Sequence, residues 1–231
     1  LPISGVDSNG LVRTSDPAVT IKINQEFWRQ VEAETLIVTG SFPLRLKKEA
    51  AQKGVRIFEY AETNEIAIPN AIPTAEGALQ LAMEKTSFTI DGSCCMVLGF
   101  GRVAQALAPR LSALGATIII AARSSEQLAR TTSLGYTPLY LSSLAEGVNK
   151  ADLIFNTIPA LIVTEEIIEK IKPGTVIIDL ASAPGGVDFQ AAERYRLTAI
   201  LALGLPGKVA PKTAGKILAT QLPGLIKQKF N

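Results

Sequence analysis

Gly99-Phe100-Gly101-Arg102-Val103-Ala104 sets the pattern G-x-G-x-x-A between an apolar run, Cys94–Leu98, and an amphipathic one, Arg102–Leu114. That setting constrains the chain more than any other feature. The first glycine permits a tight turn, and the second lets backbone approach a diphosphate. The small third residue lets helix and strand pack closely. Amides at the helix start, with the positive end of its dipole, then hold the phosphates. As a bare motif the pattern is weak, and a plain glycine turn would also explain it. The strand before it, the helix after it and the next strand, Ala116–Ala122, give it weight.

The regular alternation continues. Arg102–Leu114 closes at Gly115, and Ser124–Leu134 opens on the capping box Ser124-Ser125-Glu126-Gln127 and closes at Gly135. Thr137–Leu141, Leu153–Ile158, Thr164–Ile171, Thr175–Leu180, Asp188–Tyr195 and Ala199–Leu203 follow, joined by brief turns. Strands alternating with helices mean βαβ units and a parallel sheet. Before residue 72 the strand candidates are Leu1–Ile3, Ala18–Ile23, Thr35–Val38 and Val55–Tyr60, with a helix from Leu44 to Lys53. Asn70 to Lys85 reads as loop then helix, with Thr74 as N-cap and Glu76 in the first turn. Lys208–Lys227 is a closing helical stretch interrupted by Pro211 and Pro223. The expected fold is α/β, with a Rossmann-type doubly wound parallel sheet over 89–207 that binds the dinucleotide. A smaller, incomplete N-terminal α/β lobe occupies 1–72 on the substrate side, with crossing helices at 73–88 and 208–231. The opening Leu1-Pro2-Ile3-Ser4-Gly5 reads like a strand cut into on its N-terminal side.

Composition narrows the chemistry. The chain has 231 residues, 47% apolar and 6% aromatic, an aliphatic interior of the kind parallel sheets require. A formal charge of +2 gives no polyanion-binding surface, so nucleic acid is not expected as a partner. No apolar run reaches the roughly 18 residues of a membrane span. Cys94 and Cys95 are neighbours on a buried strand and read as small core residues, compatible with a reducing cytoplasm. There is no histidine. That removes Ser-His-Asp and Cys-His hydrolysis, His-ligated zinc and a histidine acid/base in hydride transfer; no metal site is expected.

Cofactor choice is read about 20 residues beyond the glycines, where NAD enzymes place an acid against the ribose 2′-hydroxyl. Here the strand ends Ala121-Ala122-Arg123-Ser124-Ser125, with no acid at its tip. A guanidinium and two hydroxyls suit a 2′-phosphate, so NADP is expected over NAD, against the plainer reading of a solvated arginine. Ligands of open α/β sheets lie at the carboxyl ends of strands. Asn156-Thr157-Ile158-Pro159 and Asp179-Leu180-Ala181-Ser182 should therefore border the nicotinamide. Asn156 and Ser182 are candidates for its carboxamide or ribose, while Asp179 could equally be a buried acceptor of backbone N–H groups.

Six separated segments resemble the family of the A subunit of dipicolinate synthase. They are Val97–Val103, Asn156–Ala160, Asp179–Gly186, Gly204–Gly207, Ile72–Gly77 and Ala210–Gly215. Two departures stand out: the family carries a further N-terminal segment, and Ala104 stands where glycine is common. The resemblance implies an endospore-forming bacterium, the mother-cell cytoplasm, and two-electron oxidation of a dihydrodipicolinate-type ring to dipicolinate with NADP as acceptor. It also implies a flavoprotein partner, the B subunit of dipicolinate synthase, with FMN on that partner only; a homo-oligomer is compatible. For the implied dicarboxylate, Lys212 and Arg13 are candidate cations and Ser4, Gly5, Thr74 and Thr213 candidate donors. Glu76 and Lys212 are candidate catalytic groups. Each has a plainer reading, Lys212 as a solvated lysine and Glu76 as a dipole partner. The chain either performs the oxidation or only docks nucleotide and substrate for its partner. D-2-hydroxyacid dehydrogenases and adenosylhomocysteine hydrolases share the two-lobed plan, but both use histidines.

Overall fold

Along each central strand, successive side chains enter two different cores. These are seen in a computed structural model that describes residues 1–12, 14, 16 and 18–230. In β5 (Cys94–Leu98), Cys95 and Val97 join one core while Met96 and Leu98 join the other. In β6 (Thr117–Ala122), Ile118 and Ile120 face the first and Ile119 and Ala121 the second. This is why the strands read as unbroken apolar runs: a sheet covered on both faces has no polar side. Each fully buried Val, Leu, Ile or Phe contributes about 1.5–3 kcal/mol. The two cysteines follow the same alternation and remain free, and burial pushes the Cys95 thiol up to about 11.

The elements that precede the central sheet are short. β1 (Leu11–Val12) and β2 (Ile21–Lys22) form an antiparallel pair, followed by α1 (Gln25–Gln30). Next come β3 (Leu36–Thr39), α2 (Leu44–Gln52) and β4 (Arg56–Glu59), a βαβ unit with parallel strands. α3 (Asn64–Lys85) leads to β5, which is followed by α4 (Arg102–Ala113), β6, α5 (Ser125–Ser133), β7 (Thr137–Tyr140) and α6 (Leu144–Gly147). Then come β8 (Leu153–Asn156), α7 (Glu165–Ile168), β9 (Val176–Asp179), α8 (Phe189–Arg194) and β10 (Thr198–Leu201). α9 (Leu205–Val209) and α10 (Pro211–Phe230) close the chain. The sheet has the order β10-β9-β8-β5-β6-β7 and every pairing in it is parallel. The expected doubly wound fold is the one observed, with its order reversing between β5 and β8.

Two compact units emerge, residues 1–67 with 216–231, and residues 68–215. Their borders fall inside α3 and α10. In the first, Phe58, Tyr60 and Ile66 pack with Ile217, Leu218, Leu222 and Phe230. In the second, Ala75, Ala78 and Ala82 of α3 lie in the core shared by α4 and α5.

Three local expectations differ from the structure. Leu1–Ile3 is not a strand: Pro2 O accepts from Gly5 N and Gly40 N, and the Leu1 ammonium donates to Val38 O. The strand expected over Ala18–Ile23 is reduced to Ile21–Lys22. α3 begins at Asn64, so Thr74 is interior rather than an N-cap, with its hydroxyl donating to Asn70 O at 2.8 Å, and Glu76 is beyond the first turn. Pro69 and Pro73 each forfeit a helical hydrogen bond, but burial of Ala71, Ala75, Ala78 and Ala82 along one face, and of Ile66 in the other unit's core, holds the helix together. Pro223 is likewise absorbed within α10.

Candidate functional site

At the reversal point of the sheet, β5 ends in a turn that only glycine can make. Gly99 has φ +90°, and a Cβ there would stand 2.7 Å from Thr157 Oγ1. Its N–H donates to Ala121 O at 2.8 Å, which ties the turn directly to the tip of β6. Thr157 closes the other side, its N–H and hydroxyl both donating to Leu98 O at 3.0 and 2.8 Å. Phe100 buries its ring in the core, leaving its main chain to form the crevice, and Gln105 Nε2 donates to Phe100 O at 3.0 Å.

The helix that follows is prepared for an anion. Gly101 is its N-cap, no side chain caps the first-turn amides, and no acidic residue stands in that turn. A Cβ built on Gly101 would meet nothing within 4 Å, so the space before the amides is open. Uncapped amides at the positive end of a twelve-residue helix are suited to a diphosphate. Arg102 and Val103, half-buried, form the first residues of α4. The chemistry of this donor set fits a dinucleotide.

On the β6 side, Arg123 is exposed and makes no hydrogen bond or ion pair with another described residue. Ser124 is the N-cap of α5, its Oγ accepting from Gln127 N at 3.2 Å, and Ser125 opens the helix. Glu126 points along the helix to Arg130, 3.7 Å away, and both are exposed. The tip of β6 thus presents a cation and two hydroxyls with no carboxylate between them.

On the other side, Asn156 and Asp179 are fully buried and bonded to each other. Asn156 Nδ2 donates to Asp179 Oδ1 at 2.9 Å and to Ile158 O at 3.0 Å, while its Oδ1 accepts from Ile158 N at 3.1 Å. Both amide hydrogens are therefore committed, and Asn156 shapes the loop rather than offering a donor to a carboxamide. Asp179 also accepts from Ala181 N at 3.1 Å and Gly186 N at 2.7 Å, the acceptor role left open by the sequence. Gly186 comes so close that a Cβ would lie 2.4 Å from Ala160 O, and its own carbonyl accepts from Ile162 N and Val163 N. Sequence reasoning missed this latch between the loops after β8 and β9; the Gly185-Gly186 pair was its only local signal. Ala181 is buried, whereas Pro159 and Ser182 are exposed at the same edge.

The other candidates divide between the units. Thr74, Glu76, Lys212 and Thr213 belong to the 68–215 unit; Glu76, Lys212 and Thr213 are exposed and Thr74 is half-buried, its hydroxyl engaged within α3. Ser4 and Gly5 belong to the first unit. Gly5 is buried and spends its N–H on Pro2 O at 2.9 Å, so it is not a spare amide donor. Arg13 lies outside the described residues. Among the described residues no helix is long and apolar enough to cross a membrane.

Comparison with known proteins gives this geometry a setting. Residues 73–191 match the family model of the D-isomer specific 2-hydroxyacid dehydrogenase NAD binding domain. Residues 1–61 match the N-terminal domain of the A subunit of dipicolinate synthase. The chain is 41% identical over 228 residues to the Bacillus subtilis A subunit of that synthase, covering 99% of this chain and 77% of that one. The crystal structure of the Bacillus halodurans counterpart superimposes with a TM-score of 0.91 at 40% identity, over 98% of this chain and 78% of that one. For the Bacillus subtilis crystal structure the TM-score is 0.89 at 41% identity, over 99% and 76%.

Proposed function

The chain belongs to the family of the A subunit of dipicolinate synthase, and on that footing we propose that it oxidises a dihydrodipicolinate-type ring to dipicolinate with NADP as acceptor. Bound there, NADP would supply the acceptor for the hydride, two electrons and one proton, that leaves the ring, and a second proton would be lost to base or solvent. The single observation that carries the nucleotide half of this reading is the open space before the uncapped amides of α4, beside an Arg123 that has no partner among the described residues.

The residues of this chain supply binding and orientation. Main-chain N–H groups of Gly101, Arg102 and Val103 hold the diphosphate. Arg123, Ser124 and Ser125 take the 2′-phosphate. Ile158, Pro159, Ala181 and Ser182 border the nicotinamide, on loops that the Asn156–Asp179 latch fixes in place. Lys212 and Thr213, exposed at the start of α10, are positioned at a helix N-terminus that favours a carboxylate. Arg13, Ser4 and Thr74 remain proposed contacts of the dicarboxylate and Glu76 the proposed proton acceptor. Aromatisation supplies driving force, so a strong base is not required. The division into a substrate-side lobe over 1–72 and an NADP-binding domain over 89–207 belongs to the same proposal, as does a flavoprotein partner carrying FMN and a role in sporulation.

A second reading makes the chain a docking protein for nucleotide and substrate, with chemistry on the flavoprotein. It is favoured by Glu76 and Lys212 being exposed and lacking side-chain partners among the described residues. The deciding experiment supplies a dihydrodipicolinate-generating mixture to the purified chain, with and without the flavoprotein, and follows NADPH formation. Turnover that Glu76→Gln and Lys212→Ala abolish supports the first reading. Turnover that survives both, with only affinity altered, supports the second.

A further inference from the structure

Gln105 sits one turn into α4 and reaches back across the start of the helix, its Nε2 donating to Phe100 O at 3.0 Å. Among the described residues no main-chain N–H donates to that carbonyl, which lies just outside the helical ladder. The contact therefore fixes a peptide that the ladder leaves free. The Phe100–Gly101 peptide is trans and planar, so its C=O and its N–H point in opposite directions. Holding the oxygen toward Gln105 turns the Gly101 N–H to the other side, where it has no partner among the described residues. Gly101 itself is exposed, and a Cβ on it would meet nothing within 4 Å.

The peptide needs holding because its second residue is glycine. Turning it over would carry φ of Gly101 from −84° to the positive side, a conformation that glycine accepts and other residues resist. The turned-over peptide would aim a carbonyl oxygen where the N–H now stands. A diphosphate there would meet repulsion in place of a charge-assisted hydrogen bond. We propose that Gln105 is a positioning residue for the diphosphate: it locks the Phe100–Gly101 peptide so that Gly101 N–H joins the uncapped amides of α4 as a donor. The role rests on the nucleotide-binding reading above.

The test compares wild type with Gln105→Met, which keeps the side-chain length and helix propensity and removes the donor. Each is titrated with NADPH and with adenosine 2′-monophosphate, which carries the 2′-phosphate but no diphosphate, and each is melted without ligand. The expected result is NADPH binding weakened roughly three- to tenfold, with adenosine 2′-monophosphate binding and the melting temperature unchanged. A merely structural loss would not divide the ligands in this way. If wild type binds neither ligand, the nucleotide reading falls and this one with it. If wild type binds and the variant binds NADPH equally well, only the role of Gln105 is overturned. Equal weakening for both ligands would overturn it too, because the side chain would then serve the fold rather than the peptide.

Discussion

Asn156 Nδ2 donates to Asp179 Oδ1 across 2.9 Å, joining the carboxyl ends of two adjacent parallel strands inside the protein. The same carboxylate takes the amides of Ala181 and Gly186, so one buried side chain organises both of the loops proposed to border the nicotinamide. Removing it strands three donors. Asp179→Ala is expected to cost about 2–4 kcal/mol of stability in a denaturant titration. Loss below about 1 kcal/mol, the worth of a single net hydrogen bond, would mean that the loops do not depend on it.

The two glycines of the fingerprint have different neighbours, and their variants should separate fold from ligand. Gly99→Ala meets Thr157 Oγ1 at 2.7 Å from a left-handed backbone, so both stability and nucleotide affinity should fall. Gly101→Ala meets no protein atom within 4 Å. It should leave the melting temperature unchanged and weaken dinucleotide binding about tenfold or more, because the methyl occupies the approach of the diphosphate. A calorimetric titration paired with a thermal melt of each variant reads both effects; an unaltered affinity for Gly101→Ala would contradict the placement.

Much of this is legible in the residues because a doubly wound sheet writes itself in unbroken apolar strands, and Gly99, Gly101 and Arg123 sit at its ends. The Asn156–Asp179 bond is not, since two polar residues 23 positions apart give no local sign that they face each other. The start of α3 is hidden for a related reason. Pro69 and Pro73 forbid local hydrogen bonds, and only the tertiary burial of Ala71, Ala75 and Ala78 shows what outweighs them. Gly5 reads as a spare amide because its turn onto Pro2 O cannot be seen in sequence.

Asp152 couples the opposite edge of the sheet to pH. Burial raises its pKa, but the Cys94 N–H at 2.7 Å and Lys172 Nζ at 2.6 Å outweigh that and hold it below the ordinary 3.8. A folded-state pKa below the unfolded one contributes stability above the unfolded value and loses it as pH falls through the folded value. Asp152→Asn should therefore be less stable than wild type at neutral pH, with the gap closing below about pH 4. Denaturation midpoints across pH 2.5–7, roughly the span of carboxylate titration, check it. A gap that persists at the acid end would remove the charge from the explanation.

Arg123 is the residue asked to discriminate between cofactors. Arg123→Ala should weaken NADPH binding by about 10- to 100-fold, the worth of a charge-assisted contact, and leave NADH within about twofold. Equal losses for both cofactors would show that the guanidinium does not read the extra phosphate.

Equilibrium titration of the unmodified chain with NADPH and with NADH tests the central claim most directly. The uncapped amides of α4 beside Arg123 predict binding of both, with NADPH tighter by about tenfold or more. Tighter NADH binding, or no binding of either at millimolar concentration, would contradict it.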